Sequence, residues 1–267
     1  MELSIQSKTY ALPKEGNAPH EYEDAFYPER TGLRRGRSVR FAISDGASEG
    51  MLSGPWANIL VRTFCRSGGR LTGMSVRQMI ARACDSWDVW KEQYLKRRQL
   101  AGRPIQWWEE QGLAVGPFAT LLGVAFQLHE TEPRGRWDAA ALGDSCLFRV
   151  SEGRLKVAFP ISSSSEFGSR PVLISSDPRR NASCLNNISY AGGEIARGDL
   201  FLLMTDALAA WFLREAEAGG APWDELARFA DGSAGDGDEG FSEFIDYLRG
   251  ASKMRNDDVT LTLVRVV

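Results

Sequence analysis

Along residues 39–43, Val39, Phe41 and Ile43 alternate with Arg40 and Ala42. A period of two predicts a half-buried strand, and this one stops at Asp45-Gly46. Helical spacing then takes over. Residues 54–66 suit one helix, and a longer one follows from a plausible N-cap at Ser75. In it Val76, Met79, Ile80, Ala83, Trp87, Trp90 and Tyr94 recur every three or four positions. Such a broad apolar face is better suited to packing on a sheet than to serving as a ligand platform. Strand patterns return at 118–128, 136–144, 145–150, 154–159 and 199–206, and helical patterns then run to about Leu248. Within that last region the glycine- and acid-rich stretch 230–240 reads as a loop between two helices. The β-branched run that closes the chain predicts a final strand. Segregated runs of strands and helices point to α+β layers rather than an alternating parallel sheet. The last strand must return to the earlier ones, which favours a single domain over 1–267.

Composition narrows the function classes. Hydrophobic residues at 43% and charged residues at 25% of 267 positions are ordinary globular values. A net charge of -3 supplies no basic field, so a dedicated nucleic-acid partner is not expected. The basic run Arg34-Arg35-Gly36-Arg37 is short and reads as a solvated loop. No run of about 18 apolar residues occurs, so no membrane partner is expected and the chain reads as cytoplasmic. The 4 cysteines, Cys65, Cys84, Cys146 and Cys184, form no CxxC pair and read as reduced, mostly buried thiols. With 2 histidines, His20 and His129, zinc is not expected. Residues 97–111 carry basic residues and then Trp107-Trp108, either as a partner or substrate surface or as a loop with its tryptophans in the core, the second being favoured. The serine-rich stretch 160–185 suits a mobile segment, and Arg179 and Arg180 in it read first as solvated. The oligomeric state is not legible.

Acids recur at strand boundaries. Asp45 and Asp144 end strands, Asp206 opens a helix after an apolar strand, Asp257-Asp258 precede the last strand, and Glu23-Asp24 begin another apolar stretch. Any one of them reads as a turn or cap residue. The set is harder to dismiss, because a carboxylate at the mouth of a core strand is costly unless compensated. Hard divalent cations such as Mg²⁺ or Mn²⁺ take oxygen ligands from a few carboxylates and offer that compensation.

The ordered motifs resemble those of the PPM-type metal-dependent protein phosphatases, the protein phosphatase 2C family. "YEDAF" resembles its Glu-Asp element and "FAISDGASEG" its strand-Asp-Gly motif. "GPFATLLGVAF" and "ALGDSCLFRV" are similar to its Gly-Ser/Thr-Ala strand and Gly-Asp-Ser-Arg hairpin. "LFLLMTDALAAWF" resembles its Thr-Asp-Gly-Leu turn and "NDDVTLTLVRV" its Asp-Asn element. The motifs run in the family's order from about residue 22 to 266.

The resemblance implies a four-layer α-β-β-α sandwich, two antiparallel sheets flanked by helices, with Mn²⁺ or Mg²⁺ at one end. Two ions are expected, with a weaker third possible. Asp45 would bridge the two, Gly46 would lend its carbonyl, Glu23 would serve one ion, and Asp206 and Asp257 the other. Asp24 would act one layer out or through a water, and Asp144 with Asp206 would hold the third. The implied activity is hydrolysis of phosphoserine and phosphothreonine in a phosphoprotein by a metal-activated water, with no protein nucleophile. Departures from the pattern are also present. Pro19 stands where eukaryotic members carry a phosphate-binding Arg, with His20 a candidate substitute. Ala47-Ser48-Glu49 replace the usual residues after Asp-Gly, Ala207 replaces Gly, and Cys146 occupies the usual Arg position. They keep two alternatives open: a pseudo-phosphatase acting as a binding or regulatory module, and a hydrolase of small phosphomonoesters.

Overall fold

Phe201 and Leu203 bury themselves on one side of their strand, and Leu200, Leu202 and Met204 on the other. A strand that is apolar on both faces must be covered twice, and that requirement organises the fold. The computed structural model describes residues 2–47, 50–128, 135–168, 170–230 and 238–267. Strands β1 (Leu3–Leu12), β2 (Ala25–Tyr27), β3 (Gly32–Gly36) and β4 (Ser38–Ser44) precede helices α1 (Ser53–Arg66), α2 (Gly73–Leu100) and α3 (Trp107–Val115). There follow β5 (Phe118–Ala119), β6 (Leu121–Leu128), β7 (Gly135–Leu142), β8 (Cys146–Ser151) and β9 (Arg154–Phe159). Next come β10 (Ile174–Ser175), β11 (Ser189–Glu194) and β12 (Leu200–Met204). Helices α4 (Asp206–Glu217), α5 (Pro222–Ala230) and α6 (Asp238–Gly250) lead to β13 (Val259–Val266).

Apart from the short β10-β5 pair, the strands form a six-stranded sheet in the order β3-β1-β13-β12-β8-β9 and a five-stranded sheet in the order β11-β7-β6-β4-β2. Neighbouring strands run antiparallel in both. The inner faces meet in a core containing Ile5, Phe41, Val124, Phe126, Trp137, Phe201 and Val264. Helices α1 and α2 cover the outer face of the five-stranded sheet through Trp56, Leu60, Phe64, Met79 and Trp87. Helices α4 to α6 cover the other through Leu208, Phe212, Leu226, Phe241 and Ile245. This is the four-layer α-β-β-α sandwich, with β13 pairing between β1 and β12 as the final strand's return requires.

Several local expectations shift. The long helix starts at Gly73 and is capped by Thr72, whose hydroxyl accepts from the Ser75 amide while Ser75 Oγ accepts from the Thr72 amide. Ser75 is therefore not the N-cap but one half of a reciprocal cap, three residues beyond it. The strand expected at 118–128 breaks at Thr120, because its backbone there leaves the ladder to bond Asp45. Trp107 and Trp108 are not in the core: they are 77% and 62% exposed on α3, a helix with no buried residue. A two-pronged ion pair from Arg98 to Glu109 fastens that helix instead. Trp87 is buried edge-on to Trp56 of α1 and stacked on Trp90, so this part of the apolar face packs on the neighbouring helix rather than directly on a strand. All four cysteines are free. Arg179 pairs with Asp177 at 2.9 Å. His129, Ser48, Glu49 and the heart of the 230–240 loop lie outside the described residues. No helix among the described residues is long and apolar enough to cross a membrane.

Replacing Trp87 by Ala should cost about 3–5 kcal/mol in urea unfolding, the usual penalty for emptying a large core site. Trp107→Ala should stay within about 0.5 kcal/mol, since it uncovers no packed surface. Equal losses would place Trp107 in the core after all.

Candidate metal centre

Three carboxylates arrive from three separate strand ends. Asp45 follows β4 and is fixed by its own backbone: its N–H donates to Thr120 Oγ1 at 2.9 Å, and its carbonyl accepts the Thr120 N–H at 2.8 Å. Thr120 is itself held by Ser145, whose hydroxyl lies 2.9 Å from Thr120 Oγ1. Asp144 follows β7 through Gly143, whose φ of +105° sits in the region that favours glycine. A Cβ on Gly143 would also lie 2.5 Å from the Thr120 side chain. Asp206 is the first residue of α4, and Thr205 before it exchanges hydrogen bonds with Thr260 of β13. The result is one carboxylate oxygen from each of Asp45, Asp144 and Asp206, all within 4.8 Å of one another.

The Glu23 segment docks beside them. Asp258 accepts the backbone N–H groups of Lys14 at 2.8 Å and Glu23 at 2.7 Å, tying the approach to β2 onto the start of β13. The Glu23 carboxylate accepts from Ser53 Oγ at 2.5 Å. Gly46 sits so close that a Cβ there would lie 2.5 Å from the Glu23 carbonyl oxygen, so only glycine allows this approach. Asp24 is buried and accepts from Thr260 Oγ1 at 2.7 Å, and the Tyr22 hydroxyl lies 2.5 Å from the same oxygen. His20 is exposed in a short 3₁₀ turn, Pro19–Glu21. It lines a cleft of about 360 Å³ together with Tyr22, Glu23, Ser53 and Gly54.

Asp257 meets the cluster through Arg255. The guanidinium bonds Asp206 Oδ2 and lies 3.1 Å from Asp257 Oδ2. Burial, then the charges of Asp144 and Asp257, raise the Asp45 carboxyl to about 7. Burial also raises Asp144, and burial followed by the Asp45 charge raises Asp24 well above its ordinary value. Asp144 Oδ1 is buried with no hydrogen-bond partner. An all-oxygen donor set with one orphaned buried oxygen fits a hard divalent cation and does not suit zinc or a soft metal.

Asp45, Asp144 and Asp206 are thus brought together directly, Asp257 is linked to them through a shared cation, and Glu23, Asp24 and Gly46 stand at the adjoining edge. Arg255, Asp258, Thr120, Thr260 and Ser53 belong to this arrangement but carry no pattern of their own in the sequence. Asp258 was visible only as the neighbour of Asp257, and its role depends on where Lys14 and Glu23 fold.

No family model and no curated protein matches the chain by sequence. Solved structures match its fold over its whole length. The Mycobacterium tuberculosis serine/threonine phosphatase PstP/Ppp superposes with a TM-score of 0.56 at 13% identity, over 99% of each chain. The catalytic domain of PstP in complex with two manganese ions gives 0.55 at 12% identity, also over 99% of each chain. The photosystem II phosphatase PBCP gives 0.53 at 15% identity, over 98% of this chain and 99% of its own. The fold is that of the PPM-type phosphatases.

The raised carboxyl of Asp45 sets a pH dependence for the metal-free protein. Its ordinary value is 3.8 and its folded value about 7, so between them the folded state holds a proton that the unfolded chain has lost. Stability from this group is therefore full at low pH and falls as pH rises through about 7. In EDTA, Asp45→Asn should stabilise the protein at pH 8 by on the order of 2 kcal/mol. The gain should shrink towards pH 4; a gain independent of pH, read by thermal melts, would rule this origin out.

Proposed function

We propose that the chain is a metal-dependent phosphomonoester hydrolase acting on phosphoserine or phosphothreonine in a phosphoprotein, using Mn²⁺ or Mg²⁺. The observation that carries the reading is the convergence of Asp45, Asp144 and Asp206, with Asp144 Oδ1 unpartnered, on a fold shared with serine/threonine phosphatases. Asp45, Asp206 and Asp257 would hold the ions together with Glu23 and the Gly46 carbonyl, and Asp144 would add a further, weaker position. Bound divalent cations supply neutralisation of phosphoryl charge and an acidified water at neutral pH.

The remaining chemistry falls to the chain. Asp24, raised by burial and bonded by Thr260 Oγ1, is placed to hold a proton or orient a water one layer behind the ligands. Ser53 Oγ fixes the Glu23 carboxylate by donating to it. His20 stands on the rim of the cleft beside Glu23, where a ring N–H would be placed to donate to a phosphate oxygen. The buried thiols are not used: burial pushes Cys146 and Cys65 far above the range in which a thiolate forms, and Cys84 up to about 12. We place the protein in the cytoplasm as a single catalytic domain.

One observation favours a second reading. Arg255 already supplies positive charge to Asp206 and Asp257, so the cluster is partly neutralised from within, which a non-catalytic binding or regulatory module would need. The two readings part on one assay: p-nitrophenyl phosphate hydrolysis in EDTA, Mg²⁺ or Mn²⁺, beside the double variant Asp45→Asn/Asp206→Asn. Turnover that needs the metal and drops at least about a hundredfold in the variant is expected. A folded wild type inactive with every metal would establish the non-catalytic reading. Faster turnover of phosphopeptides than of small phosphomonoesters is expected; the reverse order would reassign the substrate.

A further inference from the structure

Arg255 approaches the carboxylates from the solvent side. Its side chain is 50% exposed, whereas that of Asp206, which it bonds, is 6% exposed. The same guanidinium contacts Asp257 at 3.1 Å, so it joins the start of α4 to the segment entering β13. Its charge also favours the ionised forms of Asp45 and Asp144. One side chain thus offsets part of the repulsion within the cluster, through Asp206 and Asp257, the carboxylates assigned above to a single ion. A guanidinium on Asp206 Oδ2 and Asp257 Oδ2 opposes a divalent cation on the same two carboxylates, because like charges repel strongly at that distance. Asp206 is fixed at the start of α4, whereas Arg255 is the more exposed partner on a long side chain, so the arginine is the group placed to move.

We propose that Arg255 is a tethered counter-ion, holding Asp206 and Asp257 together in the metal-free protein and leaving when a divalent cation binds. The inference rests on the metal-dependent reading above. It makes Arg255 a determinant of metal affinity although it ligates no metal. The apparent affinity is the intrinsic one reduced by the fraction of time the arginine stands aside. The incoming ion brings two positive charges where the guanidinium brought one, and the unpartnered Asp144 oxygen stands in the cluster that takes up the difference.

The test is a Mn²⁺ titration of the intact protein by calorimetry, with thermal melts in EDTA and in Mn²⁺. Wild type, Arg255→Gln, Arg255→Lys and Asp206→Asn are compared, and circular dichroism checks folding. Arg255→Gln should bind Mn²⁺ about five- to tenfold more tightly, once the competing state is removed. It should also melt lower than wild type in EDTA and gain more on adding Mn²⁺. Arg255→Lys keeps the charge but loses the planar fork, so its affinity should fall between the two. It carries the test if the glutamine variant does not fold. Binding by Arg255→Gln where wild type binds none would also support the proposal. Unchanged or weaker Mn²⁺ binding in both Arg255 variants, with wild type and not Asp206→Asn binding the ion, would overturn this proposal alone. No binding by wild type or either Arg255 variant would overturn the metal-dependent reading with it.

Discussion

Repulsion among carboxylates at one end of the sandwich is the constraint on which the rest of the structure depends. Asp45, Asp144 and Asp206 offer oxygens within 4.8 Å of one another, with Asp24 buried behind them. Left ionised and unopposed, such a group would push its strands apart. The molecule answers in three ways: proton uptake, seen in the raised carboxyls of Asp45 and Asp24; donated hydrogen bonds, as from Thr260; and the charge of Arg255. Together they still leave Asp144 Oδ1 without a partner. One buried acceptor of the cluster is thus left for a further positive charge or donor to meet.

Holding those charges together requires a frame that does not yield. The two inner sheet faces interlock through aromatic contacts such as Phe126 and Trp137 against Phe201, and a helical layer covers each outer face. At the sandwich end, backbone hydrogen bonds take over from apolar packing. Thr120 grips Asp45 on both sides of its peptide, and Thr205 and Thr260 clasp the entry to α4. Because β13 lies between β1 and β12, the last segment of the chain reaches the first, and Asp258 bonds Lys14 and Glu23 there. A site made of residues 23 to 257 is possible only through that closure.

The same frame explains how positive charge can be exchanged without rebuilding the protein. Asp45 and Asp206 are anchored by backbone, while Arg255 and His20 are exposed side chains, His20 lining the cleft beside Glu23. Anchored anions with a mobile cation form an arrangement that accepts an incoming ion and an anionic substrate at little conformational expense. That division of labour suits the phosphatase chemistry proposed for this fold.

Local pattern by itself determined most of the elements and the chemistry of the ligand set. Period-two stretches became strands, the three-and-four spacing of Val76 to Trp87 became a helix in the layer over a sheet, and acids at strand ends marked Asp45, Asp144 and Asp206. These were legible because burial of one face and termination of a strand are decided by near neighbours. Tertiary structure decided what depends on contacts distant in sequence. The break at Thr120 follows from its bonds to Asp45, seventy-five positions away, and the exposure of Trp107 and Trp108 follows from α3 finding no face to cover. The insertion of Arg255 between Asp206 and Asp257 is likewise invisible in "RNDD", since a charge acquires its role only from the field into which the fold places it.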